Sequence, residues 1–331
     1  MQLEHSNIKS GAMVPLVAII SNPLSTTNAA GMEAIRKTVD ESSNVVHFEL
    51  NGIETVDEAL ALFGRTNPAI LVINGGDGTI GAVLSSILYK TPFSVVPPIA
   101  FLPGGKTNMT AADLGFKGRP VNVLKKLIKV AREGRVAEKL TSRNLVEMDL
   151  GDGKLPRVGT FFGAAGVVKG IHWCRENAYA KGLPNTVAHI LYGLKLFIAA
   201  LGIGGAKDLL VSDPMSLNVV GHGRMSGQYS AVISTTLNRL LLGIKPYGKT
   251  KTGGLRFAAV EAGGGNFLRA AKGLITRSFG NKTIHGTQVR QGNEVRVEGT
   301  DPVTLDGEIY HPLPGKPIVL RGDKALSFIQ L

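Results

Sequence analysis

The chain has 331 residues and one cysteine, Cys174, which excludes an intramolecular disulfide framework and a cysteine-built metal cluster and fits a reducing compartment. That length suggests about two domains of roughly 100–200 residues each, with a core large enough to need no staples. The formal net charge of +12 suits an anionic lipid surface or nucleotide phosphates, or simply a solvated basic face. Aromatics are only 6% and stand apart from the basic runs, which argues against base stacking on nucleic acid.

Taken in chain order, residues 12–20 resemble the apolar part of a signal peptide, but Pro15 interrupts them and no small-residue cleavage site follows. A strand at 15–20 is therefore expected, ending at the Ser21-Asn22-Pro23 turn signal. A helix is expected at 31–42 and a strand at 44–50. The next helix, 55–64, has Thr55 as its cap, Glu58 three residues on, and Gly64 to end it. Residues 69–73 form a continuous apolar strand of the kind found in a parallel sheet covered on both faces. A helix at 80–89, a strand at 99–103 and an amphipathic helix at 121–133 complete the alternation. In the last helix Leu124, Leu127, Ile128 and Ala131 share one face. Strand-helix alternation of this kind predicts a doubly wound α/β domain.

From about residue 140 the texture changes. Strands are expected at 143–150, 157–166, 215–221, 227–235, 254–262, 294–299, 302–310 and 317–322, separated by Gly, Pro, Asn and Asp. That pattern predicts an antiparallel β-sandwich. The fold class is thus α/β plus β, with an α/β domain over 1–139 and a sandwich over 140–312; the segment about 313–331 could pack back on the first domain. A helical insertion interrupts the sandwich at about 174–202. Its apolar face (Ile190, Leu191, Leu194, Phe197, Ile198 and Leu201) reads first as an ordinary core helix, with a lid or membrane-touching helix as the alternative. No uncharged apolar stretch approaches the ~20 residues needed to span a bilayer. The expectation is a cytoplasmic protein, peripheral at the inner face of the membrane.

The chemistry centres on the turn after the apolar strand at 69–73. Gly75, Gly76, Asp77, Gly78 and Thr79 run directly into a helix. Such a turn exposes backbone N–H groups and the positive end of the helix dipole, and glycine lets the backbone approach an anion closely. It predicts a nucleotide-phosphate site, with Asp77 accepting a hydroxyl proton or orienting a magnesium-bound nucleotide. Two more polar turns stand at ends of strands in the same sheet: Asn22, Pro23 and Ser25, and then Gly105, Lys106, Thr107 and Asn108. Turns aligned at one edge flank a crevice of the kind in which α/β sheets bind ligands. Residues 243–250 satisfy the Walker-type pattern letter for letter, but Pro246, Gly253, Gly254 and a following strand make a hairpin connection the better reading. Near the end, Asp306, Gly307 and Glu308 read by themselves as a β-turn.

As a set these motifs resemble the diacylglycerol kinase catalytic family, which includes sphingosine, ceramide and bacterial lipid kinases. Gly75 to Thr79 match its Gly-Gly-Asp-Gly-Thr fully. Asn22, Pro23 and Ser25 match its first motif, with Thr26 where glycine is usual. Pro103, Gly105 and Asn108 match its third, with Lys106 for threonine and Met109 for aspartate, and Asp306, Gly307 and Glu308 match its last. The resemblance implies ATP with Mg2+ as cofactors, a lipid-binding sandwich and phosphorylation of a hydroxyl on diacylglycerol, ceramide or a sphingoid base. It implies Asp77, Glu308 and Asp306 as catalytic residues, with either Asp77 or Glu308 as the base, and no metal ligand is assigned. Asn22, Pro23, Ser25, Gly75, Gly76, Gly78, Thr79, Gly105, Lys106, Thr107 and Asn108 would hold the nucleotide. The expected partners are the lipid and an anionic membrane surface, with a homodimer compatible and nucleic acid not expected. The departures from the motifs motivate one alternative, a degenerate member that binds lipid or nucleotide without turnover; an NAD kinase-like enzyme is the other.

Overall fold

The computed structural model describes residues 14–25, 31–103, 109–178, 185–203, 207–240, 243–245, 247–248 and 254–331. The first half runs β1 (Val17–Ser21), α1 (Met32–Asp40), β2 (Val45–Glu49), α2 (Val56–Gly64), β3 (Ile70–Asn74), α3 (Asp77–Lys90), β4 (Ile99–Phe101), α4 (Met109–Asp113) and α5 (Pro120–Arg132). Next come β5 (Leu140–Asn144), β6 (Val146–Asp149), β7 (Arg157–Gly159), β8 (Phe161–Ala165), α6 (Gly166–Trp173), a π-helical turn (Cys174–Ala178) and α7 (Asn185–Ala200). The rest comprises β9 (Met215–Val219), β10 (Gly223–Gly227), β11 (Tyr229–Thr235), β12 (Leu255–Glu261), α8 (Gly264–Ile275) and β13 (Thr287–Gly292). It ends with β14 (Glu294–Glu298), β15 (Val303–Leu305), β16 (Glu308–Tyr310), β17 (Ile318–Arg321) and β18 (Ala325–Ile329).

The first sheet has the order β2-β1-β3-β4-β18-β5. Its first five strands are parallel and β5 is antiparallel to β18. Every residue of β1 and β3 is buried, as strands covered on both faces must be. The chain steps from β1 to β2 in one direction and from β2 through β3 to β4 in the other. Right-handed crossovers therefore put α1 on one face and α2 and α3 on the opposite one. The reversal opens a crevice at the C-terminal ends of β1 and β3, and this is where the site forms.

The remaining strands form two antiparallel six-stranded sheets, β10-β9-β14-β17-β6-β7 and β13-β12-β11-β8-β15-β16. Their inner residues, among them Met148, Phe162, Leu217, Phe257, Val295 and Leu320, make one apolar core. A separate core fills the α/β layers and includes Ile19, Phe63, Val72, Phe101 and Phe328. The chain passes between the two layers at Leu145 and again between β17 and β18. Phe328 on β18 stacks against Phe101 at 5.6 Å and anchors the C-terminal strand in the first sheet.

Several expectations are corrected. The helix expected at 80–89 starts earlier, at Asp77, so Asp77, Gly78 and Thr79 form its first turn. Thr55 makes no capping bond to α2; its hydroxyl donates to the Gly52 carbonyl inside a 3-10 turn, Ile53–Thr55. The strand expected at 157–166 is split at Thr160 into β7 and β8. α8 has a strong apolar face, yet its glycine-bearing start hid it among strand signals. The expected core helix is instead α7, whose Leu191, Leu194, Phe197 and Ile198 are exposed, as is Leu201 just beyond its end; the Ile190 side chain lies outside the described residues.

Candidate active site

β3 delivers a buried Asn74 to the edge of the sheet, and the chain must turn there without bulk. A side chain at Gly75 would put its Cβ only 2.7 Å from Thr79 Cβ, so glycine is required. Gly76 has an extended backbone and caps α3, whose fourteen residues start at Asp77. The Gly76 carbonyl accepts the Ile80 N–H at 3.0 Å. The N–H groups of Gly78 and Thr79, like those of any first turn, find no carbonyl within the helix. They join the positive end of the helix dipole in favouring an anion.

The turn after β1 is tied to this loop. The Asn22 N–H donates to the Asn74 carbonyl at 2.8 Å, and the Asn22 amide donates to Thr79 Oγ1 at 2.8 Å. Asn22 Oδ1 also accepts the Leu24 N–H at 3.0 Å, which bends the chain back. Ser25 Oγ lies 3.2 Å from where a Gly76 Cβ would stand, so a bare Gly76 leaves space beside that hydroxyl. Beneath the turn the Asn74 amide donates to Ser21 Oγ at 3.1 Å, and His47 Nε2 lies 2.8 Å from the same oxygen. Burial lowers the His47 pKa, so neutral imidazole can accept the Ser21 hydroxyl proton.

On the other side of the loop stands the β15–β16 hairpin. Leu305 pairs with Glu308, leaving a two-residue turn, and Asp306 and Gly307 have φ of 47° and 94°. Positive φ at both positions suits a tight hairpin, and Asp-Gly tolerates it. Asp306 is half-buried, with its carboxylate turned onto protein donors. It accepts the Thr160 N–H at 2.9 Å, the Thr160 hydroxyl at 3.0 Å and the Phe161 N–H at 2.9 Å. Gly159 makes this approach possible, since a Cβ there would fall 2.5 Å from Asp306 Oδ2. Burial, and then the negative charge of Asp77, push the Asp306 pKa up to about 7, against the pull of those three donors. Thr160 spends its proton on Asp306, so the Thr110 hydroxyl, 2.8 Å away, must donate to Thr160. Sequence reasoning missed Thr160 and Thr110; the Gly-Thr break inside an apolar strand was the available signal.

The hairpin brings its carboxylates to the start of α3. Asp77 Oδ2 lies 3.7 Å from where a Gly307 Cβ would be, and Glu308 Oε1 lies 3.6 Å from where a Gly78 Cβ would be. Arg175, in the π-helical turn, donates to the Gly307 carbonyl at 2.9 Å and ties the helical insertion to the same hairpin. A groove of about 260 Å³ opens here, lined by Asp77, Gly78, Asp306 and Glu308 at one end. Of the residues expected at the site, Asn22, Pro23, Ser25, Gly75, Gly76, Asp77, Gly78, Thr79, Asp306 and Glu308 stand at this one corner. Gly105, Lys106, Thr107 and Asn108 lie outside the described residues, as does Thr26. Among the described residues no three His, Cys, Asp or Glu side chains are grouped to hold a metal ion.

Comparison with known proteins agrees with this construction. Residues 16–138 match the diacylglycerol kinase catalytic domain. No curated protein sequence matches the chain significantly. A crystal structure from Bacillus anthracis str. Sterne, of a protein provisionally described as a diacylglycerol kinase, has the same fold with a TM-score of 0.63 at 15% identity; 97% of this chain and 98% of that one are covered. A second such structure gives 0.62 at 14%, again over 97% and 98%. A third, of a diacylglycerol kinase from the same organism, gives 0.56 at 13% over the same shares. Residues 16–138, which carry the glycine turn at the sheet's switch point, are thus similar to the diacylglycerol kinase catalytic domain, and the chain as a whole shares the fold of these structures.

Proposed function

We propose that the chain is an ATP-dependent lipid kinase. A kinase catalytic domain implies phosphoryl transfer and the use of ATP. The observation that carries the lipid reading is the position of the Gly75–Thr79 loop between two different walls. One wall is the Asn22–Ser25 turn, with hydroxyl and amide groups beside bare backbone; the other is the hairpin, with Glu308 beside Gly78. The first wall suits nucleotide phosphates and the second suits an alcohol.

The fit to ATP rests on the cradle at Gly76 and the first-turn N–H groups of α3. Gly75, Gly76, Gly78 and Thr79 hold the phosphates, with Asn22 bracing Thr79 and Ser25 beside Gly76. ATP would supply the phosphoryl group; a Mg2+ ion bound with it would neutralise phosphate charge, and Asp77 is the loop carboxylate that would help to hold it. Phosphoryl transfer needs mostly positioning and charge neutralisation. A phosphorus–oxygen bond forms to the acceptor hydroxyl, the bond to ADP breaks, and the hydroxyl proton passes to Asp77 or Glu308. Asp306 takes a positioning role, because its carboxylate is already held by Thr160 and Phe161.

No described helix is long and apolar enough to cross a membrane. Leu191, Leu194, Phe197, Ile198 and Leu201 form an exposed apolar stripe along α7 and its end, and the chain carries a net charge of +12. That combination suits contact with an anionic bilayer. Phe197→Glu should abolish pelleting with vesicles containing phosphatidylserine while the thermal melt stays unchanged; undiminished pelleting removes this contact.

The test of the kinase reading is transfer of labelled phosphate from ATP across a lipid extract. A labelled lipid product is expected. ATP binding with no product would make the chain a non-catalytic relative of these kinases, and a labelled NAD product would make it an NAD kinase.

A further inference from the structure

The groove beside Asp77 and Glu308 continues away from the acids, and its far part is apolar. One wall is α3, where Gly78, Gly81, Ala82 and Ser85 recur at helical spacing and face outward. The opposite wall is Leu305 and Tyr310 of the hairpin, with Val158 of β7 between and Ile53 on the rim. Ala82 packs on the α/β core while Leu305 and Tyr310 belong to the sandwich core, so each domain supplies one wall. The small residues have a structural reason to be small only at Gly81, where a Cβ would stand 3.2 Å from the Val158 carbonyl, and at Ser85, whose Oγ accepts the Val158 N–H at 3.2 Å. Ala82 is half-buried and lines the open groove. From Asp77 to Ser85 the helical rise makes the groove about 12 Å long.

We propose that this groove holds the alkyl chain of the acceptor, lying along α3 with its hydroxyl at Asp77 and Glu308, so that the substrate is an amphiphile whose alcohol is followed directly by a chain. This rests on the kinase reading for the identity of the reacting end, but not for the groove itself. The occupant follows from continuity: the polar end of the groove is the candidate active site, and the remainder is mostly carbon, with the Arg157 guanidinium at its edge engaged by Asp152 and lying over the Tyr310 ring. Ala82 and Ile53 then set which chains fit. A chain that buries its methylenes there gains about fourfold in affinity for each one, and the gain stops when the groove is full.

The test uses 1-O-alkylglycerols from ethyl to octyl, below their aggregation limits, titrated calorimetrically against the full chain. The wild type should bind with affinity rising by about fourfold per methylene. Ala82→Leu fills the groove and should flatten the series. Ile53→Ala, a change at an exposed rim with little risk to folding, should weaken the longest members several-fold and leave the shortest unchanged. A flat series in the wild type, or an undiminished slope in a folded Ala82→Leu protein, overturns the proposal. The two readings fail separately. Phosphate transfer to lipid with a flat alkyl series removes the groove and leaves the kinase, whereas a steep series without transfer to any lipid removes the kinase and leaves the groove.

Discussion

The site is made of two short turns with glycine in them, and they are built by different physics. The Gly75–Thr79 loop is made by its own neighbours in sequence. Gly75 is bare because Thr79, four residues on, occupies the space, and the helix that follows supplies the anion-binding end. The Asp306-Gly307 turn has the local chemistry of any hairpin, and its place in the site comes entirely from afar. Thr160 and Phe161 hold Asp306 across more than a hundred residues of chain, and the docking of the sandwich then sets Glu308 against Gly78. The loop is a receptor for charge, and the hairpin is a carboxylate delivered by a domain interface. Changes on the two sides should therefore separate catalysis, stability and nucleotide affinity.

The largest expected effect is on turnover. Asp77→Asn and Glu308→Gln keep shape and remove charge. Whichever residue takes the proton should lose about two to four orders of magnitude in kcat. The loop side predicts that Asp77→Asn also changes ATP affinity, since on the proposed reading its charge would face the phosphates. The hairpin side predicts that Glu308→Gln leaves ATP affinity alone. Steady-state kinetics with titrated ATP and a short-chain acceptor checks both, and near-wild-type rates for the two variants would remove the catalytic assignment.

Next comes the buried carboxyl of the hairpin. The folded pKa of Asp306, raised to about 7, lies above its ordinary value of 3.8. The folded state therefore holds a proton that the unfolded state has released between those values. Stability is fully present below about pH 4 and is lost as pH rises through 7, by up to about 4 kcal/mol. Asp306→Asn should lack this fall, so the difference between the two unfolding curves from pH 4 to 8 isolates it. A wild type whose stability runs parallel to the variant over that range would show that Asp306 stays ionised among its donors.

Thr160 gives a smaller, sharper test of delivery from afar. Thr160→Val keeps the volume but removes the hydroxyl that Asp306 accepts and that Thr110 meets. The loss should be about 1–3 kcal/mol in urea unfolding, because buried polar groups lose their partners. Thr160→Ser should restore most of it. If Thr160 positions the hairpin, kcat falls in Thr160→Val while the KM for ATP does not move; a purely structural role would leave both unchanged in the folded fraction.

The same contrast explains what could be read in the sequence. The α/β layers were legible because their signals are local: continuous apolar runs at β1 and β3, an amphipathic stripe at α5, and glycine where a strand meets a helix. The Asp77 turn was legible for the same reason, except that the periodicity began only at Ile80 and hid the first turn of α3. In the second half most strands were legible one by one, but β5, β10, β13 and β18 were not expected as strands of their own, and the pairing was not legible. Nothing local to Leu140–Asn144 says that it joins the first sheet, since that choice is made by pairing with β18, whose Phe328 packs against Phe101. Thr160 was missed because a Gly-Thr break reads only as an interruption of the strand, while its N–H and hydroxyl serve a partner 146 positions away. α7 misled because apolar periodicity reports a stripe and not what covers it.

The mildest change probes the loop from its other wall. Asn22→Ala removes the donor to Thr79 Oγ1 and the acceptor for the Leu24 N–H, while the backbone bond from Asn22 to Asn74 survives. The bond to Thr79 is partly buried and the one from Leu24 exposed; such bonds are worth at most about 1 kcal/mol each, so ATP should bind up to roughly fivefold more weakly for each bond that shapes the site. Asn22→Asp is the informative partner. Its carboxylate can still accept the Leu24 N–H and can now accept the Thr79 hydroxyl, so the turn and the melting temperature should recover. It also places a negative charge beside the loop proposed to bind phosphate, so ATP affinity should fall below that of Asn22→Ala. Thermal melts and ATP titrations on the same samples should therefore rank the two variants in opposite orders. The same order in both would mean that the Asn22 wall shapes the fold without facing the phosphates.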